Sequence, residues 1–184
     1  MTTCRDIITL GLQLGRVIPL GREPKASEAA TGLDVLQGMY DGFFANGMFG
    51  RLTDVFKDAN YTAKEGERIY NDGVTITIPT TITDDGDERA PRDLSAIVVI
   101  ASGVATNRVY SQGSWRNCSA LTLDSEAPLA ERDKAGLAAL FAMYFVEAFG
   151  GELSPMWTRR ALQFQGSISH KLGSTQPYRE NTYY

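Results

Sequence analysis

The hydrophobic rhythm of this chain changes twice. Apolar residues recur at steps of three and four near both ends, and alternate one by one in the middle. A helix presents one face at a period of 3.6 residues and a strand at a period of two, so one element cannot follow both rhythms. The chain is therefore expected to fold as helices bracketing a β-rich middle, an α+β class.

Four segments carry the helical rhythm. The first spans about 3–16, with Cys4, Ile7, Ile8, Gly11 and Leu14 in step. Its Gly11 and Gly15 either admit a neighbouring helix closely or weaken this one. The second spans about 27–46, where Ala29, Leu33, Leu36, Tyr40 and Phe43 mark one face. Glu28 suits its positive N-terminal end, and Asn46-Gly47 is a stop signal. The third spans about 128–149, with Pro128 in its first turn and Gly150-Gly151 beyond its end. The fourth spans about 154–172, with Ser154 as cap, Pro155 next, and a stripe of Trp157, Ala161, Phe164, Ile168 and Leu172. Leu140 and Phe164 are expected on facing stripes of the last two helices.

The β-rich insertion is expected over about 61–123. Val74 to Ile78 alternates strictly, and Pro79 ends that strand or places it at an edge. Asp84 to Glu88 is an acidic turn. Ser95 to Ala101 is a buried strand or a short helix. Asn107–Gln112 and Trp115–Leu123 form a hairpin about Gln112-Gly113-Ser114. The expectation is a small, mostly antiparallel sheet.

After Leu172 the rhythm stops. Residues 173–184 contain no aliphatic side chain but three tyrosines in the last seven positions. Such a segment cannot bury a core of its own. Tyrosine supplies amphipathic area at low entropic cost, so the tail reads as an extended docking arm or as an ordinary frayed terminus.

Chemistry narrows the classes further. The single histidine, His170, lies in the last helical turn, where a positive charge suits the helix dipole. It is the one imidazole a catalytic triad would have. No phosphate-binding glycine loop is visible. The carboxylates Asp84, Asp85, Asp87 and Glu88 lack the spacing of a calcium loop. Cys4 and Cys118 are far apart and suggest neither a disulfide framework nor a zinc site. No catalytic residue, cofactor or metal is expected, and the chain does not read as an enzyme. A net charge of −4 argues against tight binding of nucleic acid through its phosphates. No apolar run approaches the ~20 residues that span a bilayer, and no secretory signal is visible at the N-terminus.

Three side chains outside the tail are candidate interface residues. Arg159 and Arg160 either meet a neighbouring subunit or form a solvated helix surface. Trp115, after a turn, either anchors an interface or covers the sheet's own core.

The joints of the chain resemble a known family. The pattern Ile7-Ile8-Thr-Leu-Gly-Leu-Gln-Leu-Gly15, then Pro19-Leu-Gly-Arg-Glu-Pro24, Ser27-Glu-Ala-Ala30 and Leu33-Asp-Val-Leu-Gln-Gly-Met39 is similar to the head-to-tail adaptors of tailed bacteriophages. These are also described as connector, head-completion or packaged-DNA-stabilisation proteins, and gene transfer agents carry similar ones. Ala127-Pro-Leu-Ala130, Gly136-Leu-Ala-Ala139, Phe149-Gly-Gly-Glu-Leu-Ser154 and Arg159-Arg-Ala161 agree, while the β-rich middle matches least. The resemblance implies a mainly helical bundle of about four helices with a small antiparallel β module. Residues 1–172 would form a single domain and 173–184 an extended arm. It also implies a virion protein at the head–tail interface, made in the host cytoplasm. The chain would form a homo-oligomeric ring, twelvefold in the family. The ring would bind the portal protein and offer a surface to a tail or stopper protein. Genomic DNA would pass through its channel without tight binding, and no membrane is involved. Pro177, Tyr178, Arg179, Glu180, Tyr183 and Tyr184 would dock on the portal. A stopper, a tail terminator and a small phage enzyme are the competing classes.

Overall fold

The computed structural model describes residues 2–84, 86–129 and 131–173. It contains helices α1 (Cys4–Leu14), α2 (Ala26–Ala45), α3 (Lys134–Phe149) and α4 (Pro155–Gly173). Among the described residues between α2 and α3 lie nine strands: β1 (Thr53–Lys57), β2 (Tyr61–Thr62), β3 (Glu67–Asn71), β4 (Ile76–Thr77), β5 (Ile82–Asp84), β6 (Asp87–Arg89), β7 (Ala96–Ala101), β8 (Val104–Ser111) and β9 (Ser114–Asn117).

The helix starts follow local chemistry. Thr3 caps α1 through a capping box: its hydroxyl accepts from the Asp6 amide at 3.2 Å, and the Asp6 carboxylate accepts from the Thr3 amide at 2.8 Å. At α2, the Glu28 carboxylate accepts from the Lys25 amide at 2.7 Å and is held from the side by Arg22. The segment expected to begin the third helix at about 128 does not join α3. A short 3-10 turn, Glu131–Asp133, precedes it.

The core is built where α1 crosses α3 and α3 crosses α4. Ile7, Ile8, Leu12, Leu137, Leu140, Phe141 and Phe145 are almost fully buried in one cluster, together with Ala161, Phe164 and Ile168 of α4. Gly11 has a packing role. A Cβ there would collide with the Phe141 ring, so its absence lets the two helices approach. Gly136 does the same for α4: a Cβ would lie 2.5 Å from Phe164. Gly11→Val should therefore cost about 1–3 kcal/mol by overpacking. A denaturant midpoint equal to the parent's would show that the helices are not in close contact at this point.

The strands depart from expectation in amount and in direction. Five of them form one mixed sheet in the order β1-β3-β7-β8-β9. β1, β3 and β7 run parallel, and β7, β8 and β9 antiparallel. Two further pairs, β2–β4 (parallel) and β5–β6 (antiparallel), stand apart. The expected mainly helical bundle with a small antiparallel module is thus wrong. Strands make up a large part of the fold, and they begin at Thr53 rather than about residue 61. The physical reason is that parallel partners are joined by long crossovers. No short turn between them announces the pairing.

The middle of the sheet, about β7, is covered on both faces. Ala96, Val98 and Val109 join the helical core, while Ile69 and Ile97 join a second cluster with Ala63, Tyr61, Ile76, Val99 and Trp115. Double coverage explains why residues 96–101 read as an unbroken apolar run, and settles that segment as strand. β4 is only a two-residue strand, but Ile76 and Ile78 of the alternating run do pack on this second cluster. The β8–β9 hairpin turns at Gln112 and Gly113, both with positive φ, which suits a tight two-residue turn. β9 ends at Asn117, so 118–123 does not continue the strand. The Gln37 amide ties this end to α2: it donates to the Cys118 carbonyl at 2.7 Å and accepts from the Leu121 amide at 3.0 Å.

Candidate functional site

The parallel register of β1 and β3 builds an exposed aromatic shelf. It sets Asp54 beside Arg68 and Phe56 beside Tyr70. The two rings stack with centroids 4.7 Å apart and planes inclined by 13°. Asp54 accepts from Arg68 at 3.3 Å. Phe56 remains 77% exposed. An aromatic ring this accessible, held by a second ring, is a place where another surface gains by covering it.

The shelf opens into a cavity of about 640 Å³ at the carboxyl ends of the three parallel strands. Ile100, Asn71, Asp72, Asp58, Ser102 and Gly103 surround it. The Asn71 side chain braces the rim, donating to the Val74 carbonyl at 2.8 Å and accepting from the Val74 amide at 2.7 Å. Lys57 places its ammonium 4.1 Å from the centroid of the Tyr61 ring. Asp58 and Asp72 are exposed, and neither makes an ion pair among the described residues.

A second surface runs along the outside of α4. Met156 is 66% exposed and Leu162 55% exposed, with Arg159 between them. Arg159 and Leu162 line an open groove of about 690 Å³ with Leu153, Pro155, Thr158 and Gln163. α4 carries two arginines, a histidine and a lysine but no acidic residue. A third recess, about 510 Å³, lies among α2, α3 and α4. Gly38 and Gly42 leave room there above Met39 and Phe43, beside the half-exposed Tyr144.

The residues anticipated as interface candidates fall in different places. Arg159 is exposed on the α4 groove. Arg160 is also exposed, with its guanidinium 5.5 Å from the centroid of the Trp157 ring. Trp115 covers the sheet's own second cluster. Its indole N–H donates to the Pro79 carbonyl at 2.7 Å, and its ring meets Tyr110 edge-on at 5.3 Å. Pro177, Tyr178, Arg179, Glu180, Tyr183 and Tyr184 lie outside the described residues. So does Asp85 of the acidic turn, whose Asp87 and Glu88 are exposed on β6. His170 is on α4. The shelf itself went unanticipated. A signal for it exists in the repeated order charged–aliphatic–aromatic, Asp54-Val55-Phe56 and Arg68-Ile69-Tyr70.

Three side chains that resemble reactive chemistry are buried structure. Cys4 and Cys118 are free and fully buried. Burial raises the Cys4 thiol to about 11 and pushes Cys118 higher still, so neither supplies thiolate at neutral pH. Tyr40 lies between α1 and the sheet's end in the same core, and burial lifts its hydroxyl well above the ordinary value. Among the described residues, no three His, Cys, Asp or Glu side chains converge to hold a metal ion, and no helix is long and apolar enough to cross a membrane.

No protein-family model matches this chain, and no curated protein matches it. The fold and its exposed features define an α+β domain with separate surfaces suited to contact.

Proposed function

We propose that this chain is a structural virion protein, a head-to-tail adaptor. It docks on the portal, extends the DNA channel and offers an attachment surface to the tail or stopper. Two exposed surfaces on different elements carry this reading: the Phe56–Tyr70 shelf and the Met156–Leu162 ridge of α4. A subunit inside a stacked ring meets neighbours on several sides and needs more than one such surface. The resemblance of the helical segments and joints supplies the kind of assembly, a homo-oligomeric ring of twelvefold symmetry. The net charge of −4 fits a channel that lets genomic DNA pass without gripping its phosphates. Imaging the chain within purified virions tests the reading. Density for it in the layer beneath the portal supports the adaptor, and its absence from that layer refutes it.

The tail supplies a second test. Deleting residues 177–184 should abolish co-sedimentation with portal and leave the melting curve nearly unchanged. Truncating one interface tyrosine alone can cost ~2 kcal/mol or more, and a ring repeats that loss in every subunit. Undiminished portal binding would remove the tail from the interface.

One observation favours a second reading. Stopper and tail-terminator rings are typically richer in strands than adaptors, and this chain has a five-stranded sheet at its centre. Virion imaging separates the two, because a stopper sits one layer further from the portal.

A further inference from the structure

The two surfaces just described complement each other. The shelf offers stacked rings with two unpaired carboxylates, Asp58 and Asp72, on its margin. The α4 ridge offers the reverse. Met156, Arg159 and Leu162 follow at steps of three along one side of a helix without acidic residues, and a cation stands between two apolar side chains. A guanidinium is the group best suited to such a shelf, because it stacks on aromatic faces and pairs with carboxylates at the same time. Arg159 is exposed and makes no ion pair among the described residues. The two patches belong to separate parts of the fold, since β1 pairs with β3 at the sheet's margin and α4 packs on α3.

We propose that the Phe56–Tyr70 shelf of one copy receives the α4 ridge of a second copy. Arg159 lies on the exposed ring and reaches Asp58 and Asp72, and Met156 and Leu162 cover the apolar margin. Because the two patches differ, the contact is head-to-tail: each copy gives a ridge on one side and takes one on the other. This rests on the ring reading above and specifies which faces meet. A contact made through a charged group at a surface also weakens as salt rises.

Sedimentation velocity of the purified full chain, over the whole attainable concentration range, provides the test. Wild type should self-associate, and less so in high salt. Phe56→Ser and Arg159→Glu alter exposed side chains, so each should keep the parent melting curve. Each should weaken association roughly thirtyfold, the loss of one interface anchor. Mixing the two variants should restore a complex that stops at a pair, since each retains one intact face. A wild-type chain that stays monomeric throughout, or variants that associate like the parent, would overturn the proposal. So would a mixture that forms no pair. The adaptor reading fails separately. Wild-type chain that binds portal while both variants assemble normally sinks only this interface. Self-association that follows these rules, in a chain absent from the layer beneath the portal, sinks only the adaptor.

Discussion

Phe164→Ala is expected to remove about 3–5 kcal/mol of unfolding free energy, the usual range for deleting a buried phenylalanine ring. That is a large share of a typical ~5–15 kcal/mol stability. The ring is 7% exposed and lies directly over Gly136, so α3 has no side chain there to fill the space left behind. Neighbouring Ala161 and Ile168 are buried on the same stripe, and Leu140 faces them from α3. The loss should appear as a lower denaturant midpoint and as earlier melting of the α4 amides in hydrogen exchange. A midpoint equal to the parent's would mean that the α4 stripe is not core.

Glu65 should be the most costly polar deletion. Its carboxylate accepts from the Arg89 guanidinium at 2.8 Å, from the Ser95 hydroxyl at 3.0 Å and from the Arg92 amide. It thereby ties the β5–β6 hairpin and the start of β7 to the β2–β3 loop. Hydrogen bonds to a charged group contribute about 1.5–3 kcal/mol, and Glu65→Ala should cost on that order. Burial pushes the carboxyl upward, but the Arg89, Arg92 and Ser95 donors together outweigh it and hold it below the ordinary carboxylate range. A group lowered on folding stabilises above its unfolded value. That contribution is lost as pH falls through the lowered one. Wild type should therefore lose stability on acidification more steeply than Glu65→Gln. Parallel stability–pH curves for the two would contradict the assignment.

The helices were legible because their apolar stride is local. Ala161, Phe164 and Ile168 announce a face without reference to any other part of the chain. The hairpin at Gln112-Gly113 was legible for the same reason, since two residues with positive φ suffice to turn it. The parallel half of the sheet was not. β1 and β3 carry charged and aromatic residues on one face, so neither reads as a buried run, and their pairing depends on a crossover through β2. The shelf inherits that opacity: Phe56 and Tyr70 meet only through the register of two strands. Trp115 was ambiguous because a half-buried tryptophan beside a turn looks the same from sequence whether it faces a partner or its own sheet.

The placement of α1 against α3 has a consequence for synthesis. α1 leaves the ribosome long before α3, the helix that buries Ile7 and Ile8. Even its first turn waits, because the Cys4 and Arg5 amides donate to the Ser125 and Leu123 carbonyls. At translation rates of ~5–20 residues per second, the stretch from Leu14 to Lys134 takes on the order of ten seconds. During that interval a nascent amphipathic helix stands without its partner. Closing so long a loop is also entropically slow. Burial of the α1 face thus waits until α3 and α4 have emerged.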